Sequence, residues 1–441
     1  MKLKKSLFSW LNGTKAFKDL NEKEFSWVLY DVGNSAYTLL ACALIPIFFK
    51  YYAIGEGPGH ISSDKATAYY SMAISIVTIV VAILGPICGA LTDVEGRKRI
   101  WFSTAVALGT MLCIVNGFAH SWLFFIIVFM LTRIFYSASL VFYDSMLNDV
   151  TTEDKFDVVS SYGYAYGYIG SCLPFLLALV AYVFGPDMLG LISQELAMAI
   201  GFVITGIWWI CVSLPLIKNY RQTHFVENKQ RPVASAFAEL GRTIKKIATY
   251  DKKVLFFLIA FFLYIDGVGT IIDNCINIGT DLHLNTVGQV ITLLATQVVA
   301  FGGSLVFARL SKKYDTVKLI LVCIVGYFCV CLYALTLRSL VGFAILAFGV
   351  GCFQGSIQSL SRSYFTKIIP AKHSGEYFGI YDIFSKGASF LGSAVIAWVK
   401  LAGGTINVAV ACMAIFFALG FVMLRIADRI PSAEKDPFAE N

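Results

Sequence analysis

The stretch Gly89-Ala-Leu-Thr-Asp93-Val-Glu-Gly96-Arg97-Lys98-Arg99 decides how the chain is read, because of what stands on either side of it. Residues 67–92 and 99–118 are mostly apolar. Each run is long enough to cross a bilayer, which takes about 20 apolar residues. The short polar loop between them forces an antiparallel pair. Its basic cluster holds the loop on one side of the membrane.

Working outward, the same pattern recurs along 441 residues. Twelve spans are predicted, near 26–53, 67–92, 99–118, 121–145, 158–184, 195–217, 253–276, 285–309, 317–336, 339–366, 376–400 and 405–426. Composition agrees. Hydrophobic residues make up 58% and charged residues 14%, whereas a soluble domain is about a quarter charged. Mean hydropathy is +0.72. The excess of apolar side chains needs the bilayer as solvent.

The net charge of +7 does not point to nucleic acid. Lys and Arg cluster in connectors on one face: Lys2 to Lys23, Arg97 to Arg99, Lys245 to Lys253, Lys312 and Lys313. The positive-inside rule then places both termini in the cytoplasm. The polar connector 218–252 divides residues 26–217 from 253–426, leaving 1–25 and 427–441 as cytoplasmic ends. Leu3, Leu7, Trp10, Leu11, Phe17 and Leu20 suit a short interfacial helix, and no cleavable signal peptide is read. The expected fold is all-α and integral to the membrane: twelve transmembrane helices in two six-helix halves.

In the opening loop, Gly89 suits close helix packing and Gly96 a tight turn. Asp93 can accept from the amides of a neighbouring helix. Other stretches stand on particular spans. Span one carries Trp27-Val-Leu-Tyr30-Asp31-Val-Gly-Asn34. Span five carries Ser161-Tyr162-Gly163-Tyr-Ala-Tyr166-Gly167. Span ten ends Gln358-Ser-Leu-Ser361-Arg362-Ser363, and span eleven runs Glu376-Tyr-Phe-Gly379-Ile-Tyr381-Asp382-Ile-Phe-Ser385-Lys386.

From about Trp27 to the end of span eleven, these motifs resemble the major facilitator superfamily. They are similar to the branch that groups bacterial proteins with the fungal autophagy-related vacuolar effluxers. The resemblance implies the major facilitator fold and secondary transport by alternating access, with amino-acid export for the fungal members. It implies a bacterial inner membrane. It makes Gly89, Asp93, Gly96, Arg97 and Arg99 a conformational latch, and Arg362 is grouped with them. Val94 stands where the family usually has Arg, and Asp273 where relatives have a small apolar residue. A second copy of the latch, near Gly303 to Tyr314, is degenerate.

Ionisable residues inside spans cost about 2.5–3.5 kcal/mol or more, so they mark pathways or structural pairs. Asp31 and Asn34 share a helical face. Asp31 binds a substrate amine or a proton, or else serves as a cap. Arg133 cannot shed its proton and needs a carboxylate, from Asp31, Asp144 or the substrate. The resemblance links an Arg near Arg133 to proton coupling. Asp266 is the first choice for proton carrier, with Asp273 as a gate or a solvated group. Asp382 and Lys386 are spaced for an ion pair, either self-neutralising or exchanging partners during transport. Tyr30, Asp31, Asn34, Arg133, Tyr136, Tyr264, Gln354 and Gln358 are the candidate substrate ligands. Asp31, Arg133, Asp266, Asp273, Asp382 and Lys386 are the candidates for coupling.

The histidines show no metal spacing, no nucleotide-binding loop occurs, and no nucleophile elbow is present, so an enzyme or an ATP-driven pump is not expected. No cofactor and no metal are expected. The expected partners are a small solute, protons or another ion, and lipid, with the monomer as the working unit. An amino acid or short peptide is favoured as solute. Sugars or nucleosides, and a non-transporting receptor on a transporter fold, are the alternatives.

Overall fold

The computed structural model describes residues 20–54, 59–187, 192–227, 233–275, 278–279, 282, 284–387 and 390–431. The expected interfacial N-terminal helix and most of the C-terminal tail lie outside the described residues. Inside a bilayer the backbone has no water to bond, so apolar spanning segments satisfy it internally as helices. Among the described residues no strand exceeds an isolated bridge.

The first part of the chain forms α1 (Glu22–Ala43), α2 (Ile45–Ala53), α3 (Ser63–Thr92), α4 (Arg97–Asn116), α5 (Trp122–Ser145), the short α6 (Leu147–Val150), α7 (Phe156–Asp187) and α8 (Gln194–Asn219). The second part forms α9 (Val233–Thr249), α10 (Lys252–Asp273), α11 (Thr286–Leu310), α12 (Thr316–Tyr333), α13 (Leu340–Ile368), α14 (Ser374–Gly387), α15 (Phe390–Leu401) and α16 (Ile406–Arg429). Side-chain caps begin many of them. Asn21 and Glu24 exchange hydrogen bonds at 2.7 and 2.9 Å at the start of α1. Ser62, Ser121, Ser193, Ser339 and Thr405 each accept from the amide three residues on.

Ten of these helices are long and apolar enough to cross a membrane, and α1 with α2, bent by 45°, makes one more. The expected span 376–400 is described as α14 and α15, with residues 388–389 between them outside the described residues. The 218–252 connector also holds a helix, α9, where only a polar linker is expected from sequence. Its Leu240 packs on Ile87, Ala90 and Leu91 of α3, and Ile247 joins the core of the second part.

Apolar packing falls into two cores. One gathers side chains from Leu20 to Tyr220, with Ala308; the other gathers those from Ile247 to Ala427. Large apolar side chains such as Ile79, Val341 and Trp398 point outward, as a lipid-facing surface requires. The polar contacts between the two parts gather at the end of the bundle where α1 begins.

Candidate transport path and its closed end

The latch loop does its work at that end. Helices α3 and α14 cross at glycine: a Cβ on Gly89 would lie 2.1 Å from the Gly375 carbonyl oxygen. This approach brings Asp93 to the start of α14, where its carboxylate accepts from Gly375 N at 2.8 Å and Glu376 N at 3.0 Å. A carboxylate there answers both the unpaired amides and the helix dipole. Gly96 opens α4 with φ of 72°. The sequence reading named Arg97 and Arg99 beside it. Arg99 is instead exposed, and Lys98 is the buried cation. Its Nζ donates to Ser374 Oγ at 2.9 Å and lies 3.6 Å from Asp93 and 3.8 Å from Asp149.

Asp149 also accepts from Thr223 N at 3.0 Å and His224 N at 2.9 Å, and from the Tyr220 hydroxyl. The start of the connector is thereby strapped onto the latch. Burial pushes the Asp93 carboxyl up to about 6, against the pull of Lys98 and the two α14 amides. Burial acts on Asp149 too, but Lys98, His224, Tyr220 and Thr223 outweigh it and hold that carboxyl well below the usual range.

Deeper in, Arg362 of α13 crosses from the second part into the first. It donates to Asp144 at 2.9 Å, to Asp31 at 3.2 Å and to Ser160 Oγ at 3.0 Å. The guanidinium lies 4.6 Å from the ring centroids of both Trp27 and Tyr164. A third tie joins Asp157 of α7 to Lys367 and Thr316, each at 2.7 Å, and to Ser363. These three sets of contacts close this end of the molecule.

Above the closure, several charged groups keep some surface although they stand within spans. Asp382 and Lys386 pair at 2.6 Å with 13% and 23% of their side chains accessible. Asp144 keeps 21%. Lys386 interacts electrostatically with Arg133 and Asp144, and Asp382 with Asp144. Arg133 stands over the Tyr136 ring at 5.8 Å, and the Tyr136 hydroxyl meets Thr38 at 2.5 Å. Among the described residues no carboxylate lies within 4.0 Å of Arg133. Gln358 donates to the Gln354 carbonyl at 3.1 Å. Asn34 donates to Asp31 at 3.2 Å. Two open clefts of about 730 and 450 Å³ lie elsewhere, on the outer surface of the closed end, with Asn148, Thr151, Thr152 and His224 in both.

The remaining sequence candidates stand apart from this path. Tyr30 donates to Ser139 and Tyr264 bonds Ser361, each at 2.6 Å and fully buried between helices. Asp266, also fully buried, accepts from Gly392 N at 2.8 Å near the start of α15. Asp273 is exposed at the far end of α10 and interacts with Cys42. Sequence reasoning missed Lys98, Asp149 and Asp157. Lys98 looks like one of three interchangeable basic residues, and the two aspartates look like ordinary loop and helix-start acids.

Residues 21–435 match the family model described as "Vacuole effluxer Atg22 like". The chain is 37% identical over 410 residues to the uncharacterized MFS-type transporter YxiO of Bacillus subtilis, covering 92% of this chain and 95% of that one. It is 25% identical over 304 residues to Autophagy-related protein 22 of Botryotinia fuckeliana, spanning 61% of this chain but only 50% of that protein. Among solved structures, the major facilitator transporter FucP in its outward conformation superposes with a TM-score of 0.68 at 14% identity, covering 92% of this chain and 99% of that chain. The human organic anion transporter MFSD10 gives 0.69 at 14%, covering 91% and 98%. The chain therefore belongs to the Atg22-like family of effluxers, secondary transporters of the major facilitator fold and not enzymes.

Proposed function

We propose that this transporter moves a small zwitterionic solute, an amino acid or short peptide, by alternating access coupled to protons. The carrying observation is Arg133. It is a permanently charged side chain deep in the bundle with no carboxylate within 4.0 Å among the described residues. A solute carboxylate is the natural counter-charge. Across the path, Asp144 and Asp382 supply acids for a solute amine or a proton. The basic loops support a cytoplasmic side for the closed end and both termini, and the family resemblance supports a bacterial inner membrane. The path in this structure is then the outward-facing one.

Asp266 holds an α15 amide, which favours a structural place for it. The proton role passes to Asp144 and Asp382, which keep accessible surface.

The test is counterflow of radiolabelled amino-acid pools into proteoliposomes. Arg133→Gln is expected to lower exchange at least tenfold, since a charged hydrogen bond is worth about 1.5–3 kcal/mol. Exchange of neutral sugars or nucleosides in place of amino acids, unaffected by Arg133→Gln, contradicts this reading.

A further inference from the structure

Arg362 does more than pin two halves together. It fills a pocket that the first part of the chain builds by itself. Asp31 of α1 and Asp144 of α5 supply two carboxylates at 3.2 and 2.9 Å. Ser160 of α7 supplies its hydroxyl at 3.0 Å and its carbonyl at 3.1 Å. Trp27 and Tyr164 put their rings 4.6 Å from the guanidinium carbon, and Tyr143 lies at 5.3 Å. Carboxylates, a carbonyl and aromatic faces together make a receptor for a positively charged nitrogen group.

Space for the occupant is built in. A Cβ on Gly163 would sit 2.3 Å from Asp31 Oδ2 and 3.2 Å from the Arg362 guanidinium. Asp31 is further held by Asn34 at 3.2 Å, so its orientation does not depend on Arg362 alone. Only 3% of the Arg362 side chain is exposed, against 21% for Asp144, so one wall of the pocket keeps accessible surface while Arg362 is in place.

Alternating access withdraws Arg362, because α13 belongs to the other core. Two buried carboxylates then stand without their cation, and uncompensated buried charge is among the costliest arrangements in a protein. We infer that this pocket is a cation site, occupied by Arg362 while the end is shut and by the positively charged nitrogen group of the solute when Arg362 leaves. The inference rests on the transport reading above and deepens it: the solute carries an ammonium or guanidinium group, and its binding competes with closure.

Arg362→Ala in lipid nanodiscs empties the pocket without touching its walls. Methylguanidinium and methylammonium chlorides are the probes, with sodium chloride at equal ionic strength as control. The readouts are the thermal midpoint and hydrogen exchange of residues 374–380, at the start of α14. The variant is expected to show a lower midpoint and faster exchange. Either probe should reverse both saturably, with half-effect at about 1–10 mM, as suits a ligand of so few atoms. The response should vanish when Asp31→Asn and Asp144→Asn are added. Should Arg362→Ala not fold, Arg362→Gln keeps a donor for Asp144 and serves the same test. No saturable response beyond sodium chloride in a folded variant overturns the inference. Rescue reads the pocket and not transport, so amino-acid exchange without rescue would reject the site and leave the transport reading standing.

Discussion

Asp93 is one carboxylate between three positive partners: Lys98 at 3.6 Å and two amides at 2.8 and 3.0 Å. Burial nevertheless pushes its carboxyl up to about 6. Opening the latch would return it to water and to the ordinary value near ~4. The closed latch thus holds a proton more tightly than the open one. Its contribution is complete below about pH 4 and is lost as pH rises through about 6. The other charged groups facing the site are Lys98, Asp149, His224 and Glu376; Asp149 stays ionised across that window. Lowering pH from about 7 to 5 should raise the protection of amides 374–380, measured against their intrinsic exchange rates, and Asp93→Asn should remove that rise. An unchanged pH profile in the variant sinks this account of the latch. Asp266 makes a second residue-scale prediction. Asp266→Ala should lower stability by about 1 kcal/mol, the usual net worth of one hydrogen bond, read in chemical denaturation. Asp266→Asn keeps an acceptor and should leave solute-driven proton flux intact.

At the scale of elements, the pair α3 and α14 carries the closure. Gly89 lies so near the Gly375 carbonyl that even alanine requires the helices to move apart. Gly89→Ala should speed exchange at residues 374–380 by several fold while leaving α16 unchanged. Uniform exchange across both helices would place the damage in folding and not in the latch. Helix positions were legible in the sequence because each apolar run is punctuated by caps and basic loops. The Asp266–Gly392 contact was not, since it joins two spans 126 residues apart. The connector helix α9 was also missed. Among its described side chains, Leu240, Thr243 and Ile247 turn inward, and the surface of α3 that receives Leu240 is not visible in the sequence.

The whole molecule shows why some site residues could be read and others not. Asp31, Arg133, Asp382 and Lys386 announce themselves, because a charge inside a span needs a reason. Tyr30 and Tyr264 do not: tyrosine serves equally as packing and as ligand, and here both hydroxyls are spent on serines in the helix interfaces. Arg362 was legible as part of the latch, but its partners were not, since Asp31 and Asp144 lie 331 and 218 residues away. The closed end draws on α1, α3, α5 and α7 from one core and α12, α13 and α14 from the other. A rocking motion between cores would break all three sets of contacts together, which suits an all-or-none gate.

Proton flux driven by solute tests the central claim most directly. Proteoliposomes holding a pH-sensitive dye would receive amino-acid pools one at a time. The account predicts acidification that requires a particular pool, disappears in Asp144→Asn and survives in Asp266→Asn. Acidification that persists in Asp144→Asn, or none with any pool while counterflow proceeds, would contradict proton coupling through the acids of this path.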